Sequence, residues 1–179
     1  MCANAFTPLA GTESRRHACG MGRAPRELHA GTYHVMTRSI AEERIFRCTA
    51  DFVDFLSFLY GIDWTCHAFC VMPTHYHLLV TVEDAVLDKI MHRLNLRYAK
   101  RFNRRHARRG HVFDTPYDSV LVDTHSHFLW LARYIAQNPS RPREWRWSSF
   151  VQTSPFVDAT RLENAFGGRE QMLRFALDD

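Results

Sequence analysis

Hydrophobic positions in this chain recur with two periods, and the order of those periods sets out a fold. Tyr33-His34-Val35-Met36-Thr37-Arg38, opened by Gly31, alternates as a first strand. Phe52, Val53, Phe55, Leu56 and Leu59 fall at helical spacing, which predicts a helix over Thr49–Tyr60 with Thr49 as its N-cap. Residues 64–72 read as a second strand, Pro73-Thr74 as a turn, and residues 75–82 as a third strand antiparallel to the second. The longest helical pattern covers residues 85–105, with Leu87, Ile90, Leu94 and Tyr98 on one stripe and Gly110 expected to end it. Val112-Phe113 and residues 119–122 form short strand pieces around a turn at Pro116. Residues 124–138 then make a helix that Thr124 caps and Pro139 follows. Two short helices, residues 158–166 and 169–177, are broken at Gly167-Gly168.

Strand, helix, strand, strand, helix, strand is the order of an α+β ferredoxin-like sandwich, an antiparallel sheet with helices on one face. Residues 1–25 show no periodicity and are expected to be a flexible N-terminal arm, within which Met21 is an alternative start. Residues 26–150 make the domain and residues 151–179 a helical C-terminal tail. Trp145, Trp147 and Phe150 are expected to fold back onto the body, in preference to stacking on unpaired bases.

The chemistry concentrates at His75-Tyr76-His77, at the head of the apolar run Leu78-Leu79-Val80. Alternate side chains of a strand share a face, so the two imidazoles project together, about 7 Å apart along the backbone, while Tyr76 points the other way. That is half a metal site. The best source of the rest is Leu129–Pro139, where Tyr134 and Asn138 stand four residues apart on one helical face, a phenol one turn before an amide that can coordinate through oxygen. His125-Ser126-His127 has the same spelling but falls in a helix, where its rings diverge by about 200° and cannot chelate one ion. Tyr98 lies on an apolar stripe and Tyr117 follows a turn proline, which leaves Tyr134 as the candidate nucleophile.

Composition adds a partner class. The 179 residues are 46% hydrophobic, enough for a core, and carry a formal charge of +4. Lys89 and Lys100 are the only lysines. Arginine forks suit phosphate. Arg93, Arg97, Lys100, Arg101, Arg104, Arg105 and Arg108 crowd the long helix, with no acidic residue from Arg93 to Arg109. Charge runs are usually solvated faces, but one of a single sign favours phosphate contact. Cys2, Cys19, Cys48, Cys66 and Cys70 show no CxxC pairing, and Cys66 and Cys70 stand about 13 Å apart along a strand, so reduced thiols are expected. No apolar run has a membrane helix's length and no signal-peptide core is evident, so the protein is expected to be cytoplasmic.

These residues together resemble the HUH single-tyrosine transposases, most closely the REP-associated tyrosine transposases of bacteria. The resemblance runs through Gly31-Thr32-Tyr33-His34-Val35, Met72-Pro73-Thr74-His75-Tyr76-His77, Arg101-Phe102-Asn103-Arg104-Arg105-His106, Gly110-His111-Val112-Phe113, Ala132-Arg133-Tyr134-Ile135 with Asn138-Pro139, and Trp147-Ser148-Ser149. It implies that His75, His77 and Asn138 hold Mg²⁺ or Mn²⁺. It also implies that Tyr134 cleaves single-stranded or hairpin DNA through a 5′-phosphotyrosine link in transposition, and that the protein acts as a monomer, homodimers being found among other relatives. The alternative is a domesticated module that binds hairpin DNA without cutting it. Relatives usually carry an Arg before the tyrosine that matches Tyr117. Here the turn reads Asp114-Thr115-Pro116-Tyr117-Asp118, which bears on substrate choice and not on the metal ligands.

Overall fold

The computed structural model describes residues 29–178. The expected N-terminal arm, the alternative start at Met21, and Cys2 and Cys19 lie outside the described residues.

Four strands, β1 (Gly31–Arg38), β2 (Thr65–Val71), β3 (His75–Val82) and β4 (Asp118–Leu121), form one sheet in the order β2-β3-β1-β4. Every pairing is antiparallel. The β1–β3 register runs from Gly31 opposite Val82 to Arg38 opposite His75. This is the α+β topology expected of a ferredoxin-like sandwich.

Helices α1 (Thr49–Tyr60) and α2 (Leu87–Arg105) bury one face of the sheet, packing Phe52, Phe55, Leu94 and Tyr98 against Tyr76, Leu78 and Val80. Helix placement is wider than expected, however. Helix α3 (His125–Ala136), with α4 (Thr160–Phe166) and α5 (Arg169–Leu177), covers the other face, joining Leu131, Ile135, Leu162 and Met172 to Ala68, Cys70 and Leu79. Strand alternation requires this, because Leu79 and Cys70 are apolar on the face that the first two helices leave bare. An irregularity in the β2–β3 register between Cys66 and Ala68 turns Cys66 to the α1/α2 core and leaves Cys70 in the other. Both thiols are buried and free, as expected.

The open edge of β2 is covered by the segment after α3. The Val71 amide donates to the Trp147 carbonyl oxygen at 2.9 Å, the Ser149 amide to the Phe69 carbonyl oxygen at 3.1 Å, and the Phe69 amide to Ser149 Oγ at 3.0 Å. Trp147 stacks on Phe52 with ring centroids 4.5 Å apart, so it belongs to the core and not to a base-stacking surface. No described helix is long and apolar enough to cross a membrane.

One cap, one terminator and one helix end differ from those expected. The N-cap of α1 is Cys48, not Thr49, because Asp51 reaches back to accept from the Arg47 amide at 2.8 Å and the Cys48 amide at 3.1 Å. Helix α2 ends at Arg105, as expected, but Gly110 is not what terminates it. Ala107 takes the positive-φ position (φ 48°), and the Arg108 amide closes back on the Asn103 carbonyl oxygen at 2.9 Å. Helix α3 ends at Ala136, so Asn138 lies beyond the Gln137 cap and does not share a continuous helical edge with Tyr134.

Asp51 also accepts from Arg105 Nη1 at 2.6 Å and from His106 Nε2 at 2.9 Å, so one buried carboxylate caps α1 and ties it to the end of α2. Asp51→Ala removes the cap and leaves the Arg105 guanidinium with a lost partner. Urea unfolding is expected to show a loss of about 3 kcal/mol; a loss below about 1 kcal/mol, the size of a cap alone, would mean the ion pair adds nothing.

Candidate active site

The side chains of β3 alternate, so His75 and His77 lie on the α3 side with Leu79, and Tyr76 is buried under α1 and α2. Asn138, delivered by the turn that ends α3, bridges the imidazoles. His75 Nε2 lies 2.9 Å from Asn138 Oδ1, and Asn138 Nδ2 lies 3.2 Å from His77 Nε2. Neighbouring ligands of a six-coordinate ion at about 2.1 Å stand about 3.0 Å apart, so the 2.9 Å between His75 Nε2 and Asn138 Oδ1 matches one edge of such a sphere. The amide oxygen and nitrogen can exchange places by a flip of the side chain.

With the Asn138 amide in this orientation the hydrogen bonds assign the tautomers, and a flip of the amide reverses those of His75 and His77. His77 Nε2 accepts from Asn138, which leaves the proton on Nδ1, where it is donated to His34 Nε2 at 3.0 Å. His75 donates from Nε2 to Asn138, while its Nδ1 accepts from Thr74 Oγ1 at 3.0 Å. For His75 to offer Nε2 to an ion, its proton must move to Nδ1, where Thr74 Oγ1 can receive the hydrogen bond.

Burial pushes His77 down to about 2, with the charges of His34, His75 and Arg38 adding to it. Burial, then the charge of His127, lowers His34 to about 4. His75 is lowered mainly by burial, against its bond to Asn138. All three rings are therefore neutral near pH 7, the form in which imidazole ligates.

Tyr134 is 40% exposed and stands over this cluster, its ring centroid 5.4 Å from that of His77 and 5.9 Å from that of His34, both edge-to-face. Its rivals are buried. Tyr98 donates to the Ile45 carbonyl oxygen at 2.5 Å, and Tyr117 Oη bonds Asp88. A cleft of about 510 Å³ opens between Tyr134, His75, His77 and Asn138, with Arg38 and Asp114 on its wall. Asp114, in the turn that departs from the resemblance, thus lines the same cleft as the two histidines and Asn138.

The cationic stripe does not join this cleft. Helix α2 packs on the opposite face of the sheet, and several of its cations are engaged there. Arg101 Nε meets Asp54 at 2.6 Å, Arg105 pairs with Asp51 and Asp54, Arg108 meets Glu43 at 3.0 Å, and Arg97 lies 4.0 Å from the Phe58 ring centroid. Arg93, Lys100 and Arg104 remain exposed along grooves beside α2. A second group of potential metal ligands on that side, Cys48, Asp51 and His106, is explained by ion pairing, because both Asp51 oxygens already accept from several donors.

His34 and Arg38 were not expected at the site. They follow from strand alternation combined with register: residues 34, 36 and 38 share one face of β1, and Met36 pairs with His77.

The depressed imidazoles set a pH dependence. An unfolded imidazole titrates near its ordinary value of about 6.5, whereas the folded rings stay neutral far below it. Below about pH 6.5 the unfolded chain therefore binds more protons, so stability is full above that pH and falls as pH drops toward the folded values. Urea midpoints in chelator are expected to decrease from about pH 7 to about pH 5, and a flat profile would show that the rings protonate without unfolding.

The profile of the family described as "Transposase IS200 like" matches residues 28–138, more than half of the chain. No curated protein sequence matches. The fold is similar to that of a solved REP-associated tyrosine transposase bound to a REP hairpin, with a TM-score of 0.59 and 13% identity over 77% of this chain and 98% of that one. With the family profile spanning the sheet, the histidine pair and α3 through Asn138, the chain belongs to the IS200-like transposase family.

Proposed function

We propose that this chain is a metal-dependent single-strand DNA nickase and strand transferase, working in the cytoplasm on hairpin or repeat DNA during transposition. The observation that carries this reading is an exposed phenol, Tyr134, set over the neutral His77 in a cleft that also holds His75 and Asn138. The structural neighbour's hairpin supplies the substrate class.

His75 Nε2, His77 Nε2 and the Asn138 amide oxygen are the proposed ligands. A Mg²⁺ or Mn²⁺ ion bound there supplies Lewis acidity, polarising a non-bridging phosphate oxygen. Tyr134 Oη gives up its proton and bonds to phosphorus. The bond from phosphorus to the 3′ oxygen breaks, and that oxygen takes up a proton. One strand then carries a 5′-phosphotyrosine and the other a free 3′-hydroxyl. Attack by a second 3′-hydroxyl reverses these changes, and no ATP is needed because one phosphodiester replaces another. Arg38 faces the same cleft and is placed to meet a phosphate. All these groups come from one chain, which favours a monomer.

On this reading, the cations of α2 hold DNA by its backbone. Arg93, Lys100 and Arg104, which are exposed, contribute most, whereas Arg97, Arg101, Arg105 and Arg108 meet phosphate only as they share or exchange their present partners.

Two expected outcomes follow from these roles. Incubation with hairpin DNA and Mn²⁺ or Mg²⁺ gives a covalent protein–DNA band on a denaturing gel, absent with chelator and absent in Tyr134→Phe. No band across a panel of genomic hairpins with both metals refutes cleavage, and salt-sensitive binding that survives His75→Ala then selects the non-cutting module. Separately, Arg104→Ala weakens binding to all sequences alike and lowers the slope of log affinity against log salt by about 0.7 to 0.9 in titrations; an unchanged slope removes Arg104 from the DNA surface.

A further inference from the structure

Tyr134 is bordered by a second cleft, which the strand-cleavage reading leaves unused. Trp130 precedes Tyr134 by one helical turn on α3, and the two rings stack with centroids 5.5 Å apart and planes within 10°. Trp130 is nonetheless 59% exposed, whereas Trp147 is buried and Trp145 is half-buried with its indole N–H donated to the Val71 carbonyl oxygen at 2.9 Å. Tyr134 and Val120 are exposed along the same cleft, so the apolar surface there is a contiguous patch of the kind that marks a binding site, not one stray side chain.

The cleft it opens on measures about 350 Å³, room for a nucleobase and its sugar. Met36, Val120 and Leu131 line it with apolar surface, and Ser119 and His127 offer polar groups. It shares Met36, Arg38 and Tyr134 with the cleft of the histidine pair, so the two form one track with the phenol between them. A strand whose phosphate lies at Tyr134 must pass its neighbouring nucleotide into one side or the other. The side walled by Trp130 is aromatic, and every base has a face that can stack there.

Resting on the proposed cleavage reading, we propose that this second cleft holds the unpaired nucleobase adjacent to the phosphate that Tyr134 attacks, stacked against Trp130. The platform selects for an unpaired base over a paired one. It tolerates any base in stacking, and Ser119, His127 and Asp118 are among the lining groups able to read an edge.

The test compares binding of the full chain, in chelator so that no strand is cut, to oligo(dT) and to an abasic strand of the same length. Phosphate contacts are common to both strands, so the ratio of affinities reports the bases. The expected result is a wild-type preference for oligo(dT) that drops by about 5-fold or more in Trp130→Ala and is largely kept in Trp130→Phe. Quenching of tryptophan fluorescence by oligo(dT), but not by the abasic strand, should vanish in Trp130→Phe. Circular dichroism verifies that the variants fold, as substitution of an exposed residue allows. A wild-type ratio near one, or a ratio unchanged in Trp130→Ala, overturns the proposal. So does light scattering in which Trp130→Ala breaks a dimer while the ratio stands, which would assign Trp130 and the exposed Val120 of β4 to contact between two copies. Tyr134→Phe keeps the ring and should keep the ratio while abolishing the covalent band, so failure of cleavage and failure of the stack are read separately.

Discussion

The register between β1 and β3 is the constraint on which the rest depends. With Met36 opposite His77 and Arg38 opposite His75, the two central strands place His34, Arg38, His75 and His77 on one face and Tyr33, Val35, Tyr76 and Leu78 on the other. A slip of one residue between these strands would bring apolar side chains to the cleft and imidazoles under α1 and α2, where nothing could pair with them. The large α1/α2 core therefore does more than stabilise the fold. By demanding Tyr76, Leu78 and Val80 on its own side, it holds the histidines on the other.

The site also depends on being partly dry. The imidazoles are kept neutral chiefly because they are withdrawn from water, and their hydrogen bonds to Asn138, His34 and Thr74 leave each ring with a defined orientation. Tyr134, by contrast, sits at the mouth and is open to a large substrate. Burial of the histidines and exposure of the phenol come from different elements, a central strand and the last turn of a helix, so each can be set without compromising the other.

Much of this was legible along the chain because it is local. The bounds of α1 and β3 follow from strong periodicity with clear breaks, and Tyr134 separates from Tyr98 because the latter lies on an apolar stripe. What was not legible involves partners distant in sequence. His34 and Arg38 enter the cleft only through the β1–β3 register. Arg101 and Arg105 look like free cations until α1 presents Asp54 and Asp51 to them. The terminator of α2 is not legible in the sequence, because Ala107, not a glycine, adopts the left-handed turn, a choice that the hydrogen bond from Arg108 to Asn103 supports but that no residue type announces. Helical spacing predicts Asn138 inside a helix that in fact stops two residues short of it, yet leaving the helix is what lets its amide turn toward both histidines.

The last turn of α3 is held from the far end of the chain. Arg133, next to Tyr134, donates to the carbonyl oxygens of Phe175 and Asp178, and Gln137 donates to the latter as well. The family profile ends at residue 138, so every proposed ligand and the nucleophile fall inside the shared stretch while the fastening of their helix falls outside it. The side chains of the cleft and the contacts that hold its helix are thus encoded in separate parts of the gene. A change in the tail that removed these bonds would loosen how firmly the phenol is presented without altering a residue of the cleft.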